Sequence, residues 1–476
     1  MKLFAYLALA SGLTLAACSP ITPKGDGDGG NDPDANTNDG GGGDDAAPGM
    51  VTARALDMEG NPLAGVNVAF SQADGTLIGM ATTTASGEVT ETVSQEAIVS
   101  FGLSETQPKS NNGLYTVQII MGVQPGDTVE VNMGSPFGGR LSESLGTANL
   151  MFPSLHAGTD HYIVGNKCNN TYVSNTTLSF PMDFYSNSCS GRATTLDLLG
   201  VAWNANNAPL AWTMFEDVQI GAANTFTSTG WNTNFAQFNA FYTNTPYDGE
   251  IRLDVGLMHD GIDHGIGGFN RTVGPLTAGQ NAAYVVPVPA AFTDSLHVKA
   301  EYTGTARDRL LMHQTNLMST TTSNSVDLSG LGYPSISSVT LDTSMPGRPA
   351  YRWTADGAIP SAAHALLGFS LWSDLGSQWA VLVLAPADST APLRMPALPN
   401  TFLADPLTLS PRWPPPAALE PWQNVVALFE SGDHADFAAL RTQRGLTGLI
   451  GNGQFLSPTA PIGSRSIVSA GGLFGN

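Results

Sequence analysis

Positive charge is scarce in this sequence. Its 476 residues hold 19 Lys plus Arg against 40 Asp plus Glu, a formal net charge of -21. Such a chain repels phosphate backbones and anionic lipid surfaces, so nucleic acid is excluded as an expected partner. Charge of either sign is sparse too, at 12% of residues against 42% hydrophobic. The 53 glycines and 31 prolines fit short strands joined by many turns. Cysteine is nearly missing: Cys18, Cys168 and Cys189 are the three. Motifs that announce chemistry are missing as well. There is no H-E-x-x-H for a zinc protease, no G-x-x-x-x-G-K-[ST] phosphate loop, and no G-x-G-x-x-G that opens a helix. Gly368-Phe-Ser370-Leu-Trp372 approaches a serine-hydrolase elbow, but Trp372 stands where the second glycine must allow close approach. No carboxylate pair stands out for glycoside hydrolysis.

The one long apolar run, Leu3 to Ala17, spans about fifteen residues, too few for a permanent bilayer helix. With Met1-Lys2 in front it reads as a cleavable secretion signal. Leu15-Ala16-Ala17-Cys18 resembles a bacterial lipobox. That resemblance implies a signal peptide over 1–17, acylation of Cys18 (palmitate among the chains), and a membrane partner held through the lipid, since several acyl chains on one residue anchor stably. Ser19, rather than Asp, follows Cys18; by the same resemblance the chain is sorted to the outer membrane, on its surface or periplasmic side. Cys168 and Cys189 are then an even pair in an exported chain, and a disulfide is the natural reading. It would close a loop of about 22 residues and contribute about 3 kcal/mol.

The length asks for several domains. Residues 18–50 form a lipidated Cys and a disordered acidic tether, almost without apolar side chains. From Val51 the texture changes to alternating apolar runs broken by turns at Glu59-Gly60-Asn61-Pro62 and Asp74-Gly75. Gly60-Asn61-Pro62-Leu63-Ala64-Gly65-Val66-Asn67-Val68, followed by Thr84-Ala85-Ser86-Gly87-Glu88, resembles carboxypeptidase-regulatory-like and bacterial Ig-like modules. The resemblance reaches from Val51 to Asn132 at most and implies a β-sandwich spacer without catalytic residues, the first domain being 51–145 with a Gly-rich link at its end. Residues 146–330 keep the β texture and read as a second, even double, sandwich region holding the disulfide. Residues 331–476 read as a fibronectin-III-like or Ig-like unit, with strands at Ile336 to Leu341, Ala350 to Trp353, Leu366 to Trp372 and Trp379 to Leu384. Helical spacing over Glu420 to Glu430 and Ala435 to Arg441 predicts short helices, before a Gly-rich tail from Gly448. The expected fold class is mainly β: tandem Ig-like or fibronectin-III-like sandwiches after a disordered acidic linker, with short helices near the C-terminus. The layout resembles lipoproteins of myxobacterium-like Gram-negatives.

Two spots merit a chemical test. His259-Asp260-Gly-Ile-Asp263-His264 spaces two histidines five apart, a pattern shared by His156 to His161; His259, Asp263 and His264 are the candidate metal ligands, weighed against surface-loop histidines. Among eight tryptophans, Trp203, Trp212, Trp353, Trp372 and Trp379 sit in apolar strand-like runs and read as core. Trp231, in Thr229-Gly-Trp-Asn-Thr233, is the candidate ligand-stacking residue. The composite expectation is a non-catalytic envelope lipoprotein with a structural, adhesive or matrix-binding role, whose partner is an extracellular polysaccharide or an envelope protein, and no cofactor. The alternatives are a carbohydrate- or peptide-binding accessory protein and a metal-dependent hydrolase.

Overall fold

The computed structural model describes residues 48 to 473 apart from breaks at 58–59, 107–112, 134–143, 167–168, 186–194, 260–261, 265–269, 291–293, 307, 346, 375–376, 406–409, 416–420, 422, 433, 444–455 and 457–459. Cys18, Cys168, Cys189 and most of the tether lie outside the described residues. The fold is mainly β, as the composition implies. No helix among the described residues is long and apolar enough to cross a membrane.

Gly49–Leu56 alternates as a strand with one covered face requires. Val51, Ala53 and Ala55 of Gly49–Leu56 point into the core while their neighbours face outward. This strand pairs antiparallel with Glu88–Val93 and parallel with Thr128–Asn132, giving a three-stranded sheet. It covers Asn67–Gln72, Ala97–Thr106 and Gly113–Val123 through Val68, Phe70, Val99, Phe101 and Ile120. The Asp74-Gly75 turn leads from Asn67–Gln72 into Leu77–Thr82, with Gly75 N–H donating to the Gln72 carbonyl at 2.8 Å.

The covered strands do not stop at a domain edge. Gly113–Val123 pairs in parallel with Ser377–Pro386, and a thirteen-stranded sheet follows. In order it runs Leu77–Thr82, Asn67–Gln72, Ala97–Thr106, Gly113–Val123, Ser377–Pro386, Ala365–Ser373, Gln423–Glu430, Arg465–Leu473, Arg309–Met318, Ser295–Gly304, Gly249–His259 and Ile262–Asp263, with Asn270–Leu276 also on Gly249–His259. It draws strands from all three ranges into which the sequence had been divided.

In the middle of this sheet both faces are buried. Ala380, Leu382 and Leu384 pack under the first module, while Val381, Val383 and Ala385 pack beneath the small sheet of Ile336–Asp342, Ala350–Ala355 and Leu393–Arg394. Two-sided burial explains the near-continuous apolar runs there. It also corrects one expectation. Residues 423–430 form the strand Gln423–Glu430, not a helix. Val425 to Phe429 is an unbroken buried run, in which helical and strand periods cannot be told apart, and its adjacent valines favour the strand. The second helix is present as Phe437–Gln443, opened by Asp436, whose Oδ1 accepts from Ala439 N–H at 2.8 Å.

The Gly-rich tail reading is likewise corrected, because Arg465–Leu473 is a central strand. Its glycines serve close approach. A Cβ on Gly471 would strike the Ile336 carbonyl, and Gly472, at φ 132°, lies against the Asn424 backbone.

Residues 146–330 contribute to two sheet packings, the second of which uses strands of the long sheet. Ser144–Met151, Ser179–Tyr185 and Thr225–Thr227 pack on His161–Gly165, Asn170–Ser174, Thr195–Trp203 and Pro209–Gln219 around Phe152, Tyr162 and Phe215. Phe235–Thr243, Ala282–Pro289 and Ser323–Asp327 cover the far end of the long sheet around Tyr242, Leu253 and Val298.

Because Ile467 is fully buried in the strand that joins the two ends of the long sheet, Ile467→Ala is expected to cost about 2–5 kcal/mol. Circular dichroism and tryptophan fluorescence should report one shared loss of Tm; separate transitions would show that the sheet is not one cooperative unit.

Candidate functional site

Gly249–His259 turns its Ile251, Leu253, Val255 and Leu257 inward and ends in a tight hairpin. His259 pairs with Ile262, Met258 with Asp263, and His264 N–H donates to the Leu257 carbonyl at 2.7 Å. The hairpin brings the two imidazoles to 6.4 Å between centroids and buries His264 completely. It adds a group the spacing did not suggest: Asp294, whose Oδ1 lies 3.7 Å from His259 Nδ1 and whose N–H donates to Met258 O at 2.6 Å. The side chain of Asp263 lies outside the described residues. Among the described residues no group of three or more His, Cys, Asp or Glu is placed to hold a metal.

The other histidine pair is split by its strand. His156 meets Trp231 edge-on, while His161 stacks on Tyr172 at 4.6 Å and sits 3.1 Å from Asp160. Trp231 is half-buried. Its indole stacks on Tyr162 at 5.5 Å, leans on Phe152 at 5.3 Å, and donates its N–H to the Ser154 carbonyl at 2.8 Å. This geometry makes Trp231 the lid of an aromatic cluster with Phe180 and Phe215. Trp203, Trp212, Trp372 and Trp379 are buried and Trp353 is partly buried, as expected of core tryptophans.

The densest polar arrangement was not singled out by any motif. Antiparallel register sets Asp254 opposite Lys299 and Arg252 opposite Glu301. Lys299 Nζ lies 3.4 Å from Glu301 and 3.7 Å from Asp254, and Arg252 lies 3.2 Å from Asp254. Burial presses the Lys299 ammonium toward deprotonation, but the carboxylates of Glu301 and Asp254 outweigh it and hold its pKa above the usual value. On the same face His297 Nδ1 meets Asn316 Oδ1 at 2.6 Å, and Asn316 Nδ2 donates to the Ala460 carbonyl. The alternating polar side chains of Gly249–His259 and Ser295–Gly304 are the only sequence signal for this row. Both cations are already paired, so the row neutralises charge on a largely buried face.

Two hydroxyls near bases fit no catalytic reading. Ser370 lies in mid-strand, fully buried, with Oγ 2.9 Å from both Tyr351 Oη and Asn424 Oδ1. Ser431 Oγ lies 2.9 Å from His434 Nδ1, and its N–H donates to His364 Nδ1 at 3.3 Å, but Ser431 is also fully buried. A nucleophile must reach a substrate; these buried residues instead link neighbouring segments to one another.

No family model matches the chain, and no curated protein matches it in sequence. Solved structures with some likeness include the Bacillus anthracis TIE protein, at 10% identity and a TM-score of 0.15 over 59% of this chain and 50% of that one. The shaft pilin SpaA of Lactobacillus rhamnosus GG follows at 9% identity and 0.15, over 39% of this chain and 99% of that one. BcpA, the major pilin subunit of Bacillus cereus, gives 10% and 0.14, over 59% and 98%. The chain thus spans half the length of the first of these.

Two measurements check the site. His313 is buried on the sheet face beside Arg465, and burial first, then the Arg465 charge, pushes its pKa down to about 4 from 6.5. Its folded pKa is depressed, so its stabilisation is present above pH 6.5 and is lost as pH falls toward 4, about 3 kcal/mol in all; His313→Gln should flatten the stability profile across that window in urea titrations. Trp231→Ala should cost about 2–4 kcal/mol in the same assay. Unchanged stability would remove it from the aromatic core.

Proposed function

We propose that the chain is a non-catalytic cell-envelope lipoprotein, anchored through acylated Cys18, whose β body serves a structural, adhesive or matrix-binding role at the outer membrane. The observation that carries this reading is the thirteen-stranded sheet that gathers strands from residues 67 to 473 into one structure. A tether acting on such a body pulls along Gly49–Leu56, the first described strand. Its parallel bonds to Thr128–Asn132 and antiparallel bonds to Glu88–Val93 run across the pull and share it. The polar chemistry found in the described residues supports the same reading, because its cations are paired and its hydroxyls buried.

The disulfide belongs to the proposal. Asn169, next to Cys168, donates from Nδ2 to the Asp183 carbonyl, in the strand that leads toward Cys189. With the bridge formed, reduction should lower stability by about 3 kcal/mol. Alkylation before and after reduction, read by mass spectrometry, reports the bridge; two free thiols in the exported protein would refute it.

A carbohydrate-binding accessory role is the second reading, and Tyr172 is its support: it is exposed, with one ring face on His161 and the rest facing solvent. Proteinase K digestion of intact and permeabilised cells, with blotting, separates the possibilities. Loss of the body in intact cells is the expected result for an adhesive or matrix role. Protection until permeabilisation would place the body in the periplasm and sink the adhesive reading.

A further inference from the structure

The long sheet ends differently at its two sides. One side finishes in Ile262–Asp263, two residues long, and in Asn270–Leu276, where Pro275 lacks an N–H. Short strands and proline are ways in which natural sheets refuse further pairing. The other side finishes in Leu77–Thr82, Leu-Ile-Gly-Met-Ala-Thr, with neither proline nor charge. It pairs with Asn67–Gln72, and no described strand pairs beyond it. Leu77, Ile78 and Met80 are 39%, 38% and 42% exposed. Thr83 N–H donates to the Val66 carbonyl, and antiparallel alternation from that pair turns the N–H and C=O of Met80 and Thr82 away from Asn67–Gln72, toward the open side.

Charge decides what can pair there. Glu91, on the edge strand Glu88–Val93 of the facing sheet, lays its carboxylate over Gly79, so that any side chain at that position would have to push it aside. A second copy is therefore disfavoured. Two Leu77–Thr82 strands running antiparallel about a two-fold axis would place two Glu91 carboxylates at the same joint, between two chains whose formal net charge is -21 each. An incoming strand with a basic side chain above Gly79 would instead meet Glu91, and its apolar side chains would cover Ile78 and Met80.

We propose that Leu77–Thr82 is a docking edge that takes up an extended strand of another protein, one with alternating basic and apolar side chains. Backbone pairing supplies affinity and Glu91 supplies the preference for positive charge.

The test uses the soluble Cys18→Ser chain and fluorescein-labelled hexapeptides, Lys-Val-Lys-Val-Thr-Val and its Glu-Val-Glu-Val-Thr-Val counterpart. The basic peptide is expected to bind at about 10–100 μM and the acidic one at least tenfold more weakly. Met80→Pro removes an outward N–H and should abolish binding; because that variant can also disturb the fold, the basic peptide N-methylated at alternate amides must fail on the unaltered protein as well. Glu91→Gln should weaken binding about threefold to tenfold and flatten its salt dependence. No binding of the basic peptide at 1 mM, equal binding of the acidic or methylated peptide, or a dimer in sedimentation that dissociates on Met80→Pro would each overturn the proposal.

Discussion

Arg465–Leu473 lies between Arg309–Met318 and Gln423–Glu430, antiparallel to both, and the rest of the molecule is organised around that insertion. On one side stand the strands that carry the paired charges and the His259 hairpin. On the other stand the strands that carry the first module and the Ile336–Asp342 sheet. Without the inserted strand the long sheet would present two open ladders where it now has none. Ile467 faces the core of the far sandwich while Val468 and Ala470 face that of the first module, so one nine-residue strand completes two hydrophobic cores.

Burial on both faces places a second demand on the central strands, since polar groups there need partners inside the protein. Several of those present have them, although the hydroxyls of Ser71 and Ser100 are buried without a hydrogen-bond partner. Gln118 Nε2 donates to the Asn132 carbonyl at 2.9 Å, linking the long sheet to the sheet that covers it. Ser370, Tyr351 and Asn424 form a buried chain between strands. Trp379 donates to the Arg412 carbonyl, and Arg412 in turn holds Asp405 at 2.8 Å, fastening these two residues beside the parallel pair. The Arg252, Asp254, Lys299 and Glu301 row follows the same rule with charges. What resembles polar machinery in the interior is largely the consequence of a sheet with two inner faces.

Much of the fold was legible residue by residue. Gly49–Leu56 read correctly as a strand because its alternation reports a sheet with one covered face, and the turn at Asp74-Gly75 is local chemistry. The failures share a cause. Gln423–Glu430 lost its period because both faces are buried, and Arg465–Leu473 read as tail because glycines needed for backbone contact with Ile336 and Asn424 look like flexibility in one dimension. The parallel pairing of Gly113–Val123 with Ser377–Pro386 joins segments too distant for any local pattern. At the candidate sites, spacing brought out His259 and His264 but not Asp294, which arrives through register, and Trp231 read as exposed because its partners Phe152 and Tyr162 come from other strands.

The central strand also sets a timetable. Synthesis from the N-terminus delivers residues 49–132 first, and that module can begin packing early, yet the long sheet must wait for residues 465–473 before its two halves can close. Pairings between segments this remote are slow to form, and until they form the strand edges flanking the vacant slot remain open to the wrong neighbour.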